Sequence, residues 1–231
     1  MPHAPKLVIF DCDGVLVDSE TISVGVLTEW VRKAGGKIAD RDGYRLFLGR
    51  SMAAVEDVLR RDFALALSTA ERDGIRDETF RRFRERLKPM PGIVEVLAGL
   101  KTPRCVASSS SLERIRLSLS LTGLLEMLEP HIYSAQMVAR GKPAPDLFLH
   151  AAEEMGVRAE DCVVVEDSPA GIDAARRAGM RAFAFVGGSH AAEAGLQSAL
   201  ARLEPELIFS DMTELPGLLG GRALRMGGRA G

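Results

Sequence analysis

Two carboxylates one residue apart, Asp11 and Asp13, follow the apolar run Leu7-Val8-Ile9-Phe10 and precede Gly14. Acids at a strand end are costly unless something cationic sits on them. A second acidic pair, Glu166-Asp167, follows Cys162-Val163-Val164-Val165 and precedes Ser168-Pro169. Together the two pairs offer the hard oxygen ligands that Mg²⁺ takes. Between them lie the serine run Ser108-Ser109-Ser110-Ser111 and, in a loop, Gly141-Lys142-Pro143. Hydroxyls and free N–H groups ahead of a helix suit a phosphate, and a lysine adds positive charge. Each feature also has a plainer explanation. Asp-Gly pairs close many turns, serine runs make polar turns and N-caps, and a lone loop lysine is usually solvated.

The elements that must position these residues are legible from apolar patterning. Leu7–Phe10, Arg104–Ala107, Ile132-Tyr133, Cys162–Val165, Ala182–Phe185 and Leu207–Phe209 are short apolar runs suited to buried parallel strands. Helical patterns separate them over Ile93–Leu100, from the serine run to Leu121, and over Asp146–Met155, Pro169–Ala178, Ala191–Leu203 and a short stretch after Asp211. Ser110 with Glu113 predicts a capping box, and Ser168-Pro169 predicts an N-cap with proline at the first helical position. Alternating strands and helices argue for an α/β fold with a doubly wound parallel sheet. Its ligands bind beyond the carboxyl ends of the strands, where all four clusters fall.

From Ser19 to Lys88 no buried-strand pattern occurs. Val24, Leu27, Val31 and Ala34 recur at helical spacing up to Gly35-Gly36, and a short helix ends near Phe47. Another helix carries Val55, Val58, Leu59 and Phe63, and the last runs from the Ser68…Glu71 capping box to Leu87. The predicted organisation is a core of residues 1–18 and 89–231 with an all-helical cap, residues 19–88, inserted over the strand ends. Lys88-Pro89-Met90-Pro91-Gly92 is the return linker. The basic run Arg81–Arg86 reads as a helix C-terminus with i,i+4 partners, Asp77–Arg81 and Glu78–Arg82. Beyond Gly220 the Gly- and Arg-rich tail has little to bury.

The chain has 231 residues, a net charge of -2 and a hydrophobic fraction of 46%. That balance gives a nucleic-acid partner no whole-chain support. No apolar run reaches the ~20 residues of a membrane span, and no signal-peptide core is present. Cys12, Cys105 and Cys162 lie in or beside predicted strands and read as reduced, packed thiols of a cytoplasmic protein. The Cys12 side chain is expected to point away from those of Asp11 and Asp13. His3, His131, His150 and His190 lack ligand spacing and read as structural.

The motifs Asp-x-Asp-Gly-x-Leu-Val-Asp-Ser from Asp11, Ser108, Gly141-Lys142-Pro143-x-Pro-Asp and Val165-Glu166-Asp167-Ser168-x-Ala-Gly, in this order, resemble the haloacid-dehalogenase superfamily of phosphohydrolases. The likeness runs from Leu7 to about Phe209, and the helical insertion resembles that family's small cap over a Rossmann-like core. The resemblance implies that Asp11 is the nucleophile, forming an aspartyl-phosphate, and that Asp13 is the general acid and base. It implies Mg²⁺ held by the Asp11 carboxylate, the Asp13 backbone carbonyl, Asp167 and Glu166, the last directly or through water. Ser108 and Lys142 would bind the transferring phosphoryl group, with Ser109 beside them.

Within the superfamily, dehalogenases lack the second acid, which is present here as Asp13. Phosphonatases use a cap lysine, and Lys37, the only interior candidate, lies in a Gly-Gly turn. A β-phosphoglucomutase-type mutase needs a cap histidine and an arginine, and those positions hold Ser23 and Met52; Arg50 could substitute. A phosphatase needs neither. Glu20, Gly49 and Arg50 are the candidate specificity residues of the cap. Phe-Asp-Cys-Asp-Gly and Thr102–Val106 look like sugar-phosphate or sugar-acid-phosphate phosphatases, with a 6-phosphogluconate-type substrate and a monomer or weak homodimer as expectations. Readings of another class are a receiver-like module, against which the chain's length and its cap argue, and a catalytically silent phosphometabolite-binding protein, against which the retention of every motif residue argues.

Overall fold

The computed structural model describes residues 4–220. Its strands are β1 (Leu7–Phe10), β2 (Arg104–Ser108), β3 (Ile132–Ser134), β4 (Cys162–Glu166), β5 (Arg181–Phe185) and β6 (Leu207–Phe209). All pairings are parallel, and the order across the sheet is β3-β2-β1-β4-β5-β6. The chain therefore winds outward one way from β1 and then the other, with the switch between β1 and β4. Ligands of such sheets bind in that crevice.

Strand alternation divides the core into two faces. Val8, Phe10, Val106, Val163, Val165, Phe183 and Phe185 join one apolar cluster, and Leu7, Ile9, Cys105, Ala107, Cys162, Val164 and Ala184 join the other. Helices α5 (Ile93–Gly99), α6 (Leu112–Leu121), α7 (Leu125–Leu128), α8 (Asp146–Glu154), α9 (Pro169–Arg177), α10 (Leu196–Ala201) and α11 (Leu215–Leu219) complete the core. Before these in the chain come α1 (Glu20–Lys33), α2 (Asp40–Phe47), α3 (Met52–Phe63) and α4 (Thr69–Arg86), which form the insertion. The insertion has its own apolar centre, built from Val24, Leu27 and Val31, Tyr44 and Phe47, Val55, Val58 and Leu59, and Ile75. Its two connections run side by side: Asp18 N donates to Lys88 O at 3.0 Å, and Met90 N donates to Leu16 O at 2.9 Å. Ile22, Phe80, Phe83 and Leu87 reach down into the sheet's cluster, so the insertion is seated on the core by apolar burial.

The capping predictions divide. The Ser68–Glu71 box forms, and Ser168 caps α9 with Pro169 at its start. Ser110 does not cap α6. Ser111 does, accepting from Arg114 N at 3.3 Å, while the Ser110 hydroxyl is drawn to Asp13. Glu78 pairs with Arg82 at 2.6 Å as expected, but Asp77 turns to Arg76 and Arg81 pairs with Glu78 and Glu85 instead. The helix expected over 191–203 is confined to α10, because the segment before it is a run of turns beside the strand ends. Helix α7 lacks a periodic signal long enough to announce it. His3 and the tail beyond Gly220 lie outside the described residues. No described helix is long and apolar enough to cross a membrane.

Candidate active site

The carboxyl ends of β1, β2 and β4, three adjacent strands, gather the predicted residues. Asp11 follows β1, Ser108 ends β2 and Glu166 ends β4, with Asp167 next in the chain. Asp11, Glu166 and Asp167 each present a carboxylate oxygen within 4.8 Å of the others, and all three residues are buried. Lys142 comes in from the loop before α8. Its Nζ donates to Asp11 Oδ1 at 2.6 Å, to Glu166 Oε1 at 2.7 Å and to Ala107 O at 3.0 Å. An ammonium has three donors, so Lys142 is fully used, and its side chain is only 1% exposed. Lys142 therefore lies behind Asp11 and off the cavity wall. Its charge is applied to Asp11, the predicted nucleophile, at 2.6 Å.

Three acids against one lysine leave excess negative charge. Burial pushes the Asp11 carboxyl well above its ordinary range; Lys142 opposes this, and Glu166, Asp167 and Asp13 reinforce it. Asp167 is likewise raised well above, by burial and then by Glu166, against Lys142. Both Asp167 oxygens are buried without an aligned hydrogen bond among the described residues. Unpartnered buried oxygens beside two further carboxylates are the donor set of a hard cation. The residues present fit Mg²⁺.

Asp13 faces elsewhere. Its Oδ1 accepts from Ser19 Oγ at 2.5 Å and from Arg114 Nη2 at 2.6 Å, and its Oδ2 accepts from Ser110 Oγ at 2.6 Å. Burial works to raise its pKa, but the Arg114 charge and the hydrogen bonds from Ser110, Ser19 and Arg114 outweigh that and hold it below the ordinary range. Ser19 occupies the N-cap of α1 yet makes no side-chain cap, its hydroxyl being committed to Asp13. Cys12 lies in the apolar cluster with Val8 and Phe10, as the alternation requires, and burial raises its thiol pKa well above the ordinary value. It is no nucleophile.

A cavity of about 360 Å³ opens between core and insertion. Asp11, Asp13, Ser108, Ser109 and Arg114 line the core side; Glu20, Ser23, Gly49, Arg50, Arg72 and Arg76 line the other. The predicted cap residues Glu20, Gly49 and Arg50 thus meet the predicted core residues across one space. Ser108 Oγ accepts from Ser110 N at 3.2 Å, closing the turn after β2. Glu20 is buried, and its pKa is pushed up to about 8 by burial and by the charges of Asp13 and Asp167. Gly49 lies so near Ser168 that a Cβ there would sit 2.5 Å from the serine Cβ.

Sequence reasoning missed three participants. Arg114 sits within α6, where an arginine on an amphipathic helix has no distinguishing mark; its proximity to the serine run was the available signal. Ser19 lay inside the motif but read only as a boundary. His190, expected to be structural, is wholly buried with Nε2 2.9 Å from Asp167 Oδ2. It reaches the site from the loop after β5, a segment without motif character. His150 does behave as expected, its ring edge-on to Tyr133 at 5.5 Å.

A haloacid dehalogenase-like hydrolase family model matches residues 5–179. The chain is 30% identical to 6-phosphogluconate phosphatase of Escherichia coli over 186 residues, 80% of this chain and 84% of the relative. It is 31% identical to a phosphorylated carbohydrates phosphatase of Thermotoga maritima over 220 residues, 91% of this chain and 99% of that one. A crystal structure of a conserved haloacid dehalogenase-like protein of unknown function from Agrobacterium tumefaciens superposes with a TM-score of 0.80 at 36% identity, covering 94% of this chain and 98% of that one. With acids, serine and lysine gathered at the strand ends in the order the motifs require, the chain belongs to the haloacid dehalogenase-like hydrolases and is a phosphoric monoester hydrolase.

Proposed function

We propose that the chain hydrolyses a small phosphorylated metabolite, a sugar phosphate or sugar-acid phosphate, through a phosphoryl group carried on Asp11. The observation that carries this reading is the arrangement around Asp11: Lys142 at 2.6 Å on one oxygen, and Glu166 and Asp167 close enough to share a cation with it. Mg²⁺ held by Asp11, Glu166, Asp167 and the Asp13 backbone carbonyl would offset the repulsion between an anionic nucleophile and an anionic phosphoryl group. Lys142 contributes to the same end from behind. An Asp11 oxygen bonds to phosphorus as the ester bond to the leaving oxygen breaks. Asp13 gives that oxygen a proton and then takes one from the water that attacks the aspartyl-phosphate, returning Asp11 as carboxylate and releasing inorganic phosphate. Ser108 and Ser109 hold the non-bridging oxygens.

Selection falls to the insertion, since the strand-end residues treat all phosphoryl groups alike. The Arg50 side chain lines the cavity, is exposed and makes no ion pair or hydrogen bond among the described residues, so it is free to meet a substrate carboxylate or hydroxyls. A 6-phosphogluconate-type substrate suits that charge, and the relative in Escherichia coli carries that name. Ser23 in place of a histidine accepts from Arg114 and offers no acid–base group, which counts against a phosphosugar mutase. Phosphate release from a panel of sugar and sugar-acid phosphates, with and without Mg²⁺, tests the reading. Release lost in Asp11→Asn supports it; release surviving in that variant sinks the Asp11 step.

A further inference from the structure

We propose that His190 is a positioning residue that holds one oxygen of the Asp167 carboxylate so that the other is presented to the cation. This rests on the reading of Asp167 as a cation ligand.

The His190 side chain is 0% exposed, and Nε2 lies 2.9 Å from Asp167 Oδ2. The contact is not aligned as a hydrogen bond, and neither ring nitrogen nor either Asp167 oxygen has another hydrogen-bonding partner among the described residues. Two buried polar groups without other partners, set face to face, are expensive unless each serves the other. A leucine or methionine would fill the same volume without that cost, so packing alone does not account for a histidine here.

The backbone around the pair is shaped to it. A Cβ at Gly14 would fall 1.9 Å from Asp167 Oδ2 and 3.1 Å from His190 Cε1. One at Gly188 would fall 2.5 Å from His190 Cε1 and 2.7 Å from Nδ1. Both segments come this close only because they carry glycine. Tyr44 of α2 stacks over the imidazole, with ring centroids 6.4 Å apart and planes at 27°. The loop itself is fastened by Ser189, which donates to Asp18 Oδ1 through its hydroxyl at 2.8 Å and its N–H at 3.2 Å. The imidazole is thereby held on three sides with Nε2 lying 2.9 Å from Asp167 Oδ2. A small rotation aligns Nε2–H on Oδ2. Carboxylates that ligate metals are commonly fixed in this way by an outer partner, whose removal costs about 10–100-fold in metal affinity.

The test is Mg²⁺ binding to the full chain after chelator treatment, followed by calorimetry and by the rise in Tm that Mg²⁺ produces. His190→Leu should weaken the Kd for Mg²⁺ by about tenfold or more. His190→Gln, which keeps an N–H donor, should stay within about threefold of wild type by the same scale. A His190→Leu chain with wild-type Mg²⁺ affinity overturns the inference, as does a His190→Gln chain that loses as much as the leucine variant. Should the leucine variant fail to fold, the imidazole ¹⁵N resonances of wild type decide. Movement of the His190 ring signals with the calorimetric midpoint supports the inference, and signals that stay still overturn it. A wild-type chain that binds no Mg²⁺ overturns the reading of the site itself, a different failure from binding that ignores His190.

Discussion

Arg114 Nη2 donates to Asp13 Oδ1 at 2.6 Å and to Ser23 Oγ at 2.8 Å, so one guanidinium joins the second acid of the β1 turn to the first helix of the insertion. The same guanidinium lies over the Phe83 ring, 5.2 Å from its centroid. Under the proposed mechanism Asp13 held in this way is in the anionic form a base requires, and acting as acid requires it to gain a proton as the grip loosens. Arg114 thus contacts both the carboxylate of Asp13 and the first helix of the insertion.

Arg114→Gln should lower stability by about 2 kcal/mol, the scale of a hydrogen bond to a charged group. The sign of its pH dependence follows from the depressed Asp13 pKa. A carboxyl bound less tightly by protons in the folded state contributes stability that is present above its unfolded pKa, about 3.9, and fades as pH falls through the folded value. Urea denaturation of the two proteins should show a full gap at neutral pH that narrows below about pH 4. A gap that does not change with pH would separate Arg114 from Asp13.

Lys142→Ala should reduce kcat by on the order of 10²–10³-fold, the loss seen when a donor that stabilises developing charge is removed. The variant leaves Asp11 and Glu166 without their shared cation, so it should also unfold more readily in EDTA than in Mg²⁺. Phosphate-release kinetics and thermal melts in the two buffers read both effects. Turnover near that of wild type would refute the role given to Lys142.

Glu20→Gln should stabilise the protein more as pH rises. The Glu20 pKa is raised to about 8 in the folded state, against about 4.3 unfolded. The folded chain therefore holds more protons than the unfolded chain between those values, and stability falls as pH rises through that window before levelling off. The variant lacks this slope. In EDTA, its advantage over wild type should reach about 4–5 kcal/mol at pH 8 and vanish near pH 4.

Gly49→Ala should raise KM with a smaller effect on kcat. The added Cβ would meet Ser168 Cβ at 2.5 Å and Oγ at 2.8 Å, at a backbone φ of +66° that disfavours a side chain. Relief requires the loop between α2 and α3 to move off α9. Steady-state kinetics on the best substrate of the panel checks the split. An unchanged KM would remove Gly49 from substrate selection.

Chelation should abolish phosphate release, and Mg²⁺ should restore it, because Asp11, Glu166 and Asp167 share one buried space in which the single ammonium of Lys142 meets only two of the three carboxylates. Asp167→Asn should require higher Mg²⁺ for half-maximal rate by about tenfold or more. Full activity in EDTA would contradict the cation site.

Much of this was readable along the chain because the interactions that form strands and helices are short in sequence. Val8 and Phe10 on one face and Leu7 and Ile9 on the other follow from a two-residue period. That period also sends Cys12 into the core and Asp11 to the opposite side. The Ser68 and Ser168 caps act within three residues. Motif order along the chain, with strands between, was enough to place Asp11, Ser108 and Glu166 at one sheet end, because parallel strands bring all their carboxyl ends to the same side. What tertiary structure alone decided is the company each acid keeps. Asp13 takes its partners from Ser19, Ser110 and Arg114, and Ser110 leaves its capping role to Ser111 for that purpose. Asp167 meets His190, and Gly49 meets Ser168. Such contacts depend on how far each element tilts and slides when apolar faces close. No local period records that, so an arginine, a histidine and a glycine carry their roles only once the sheet and the insertion have been packed together.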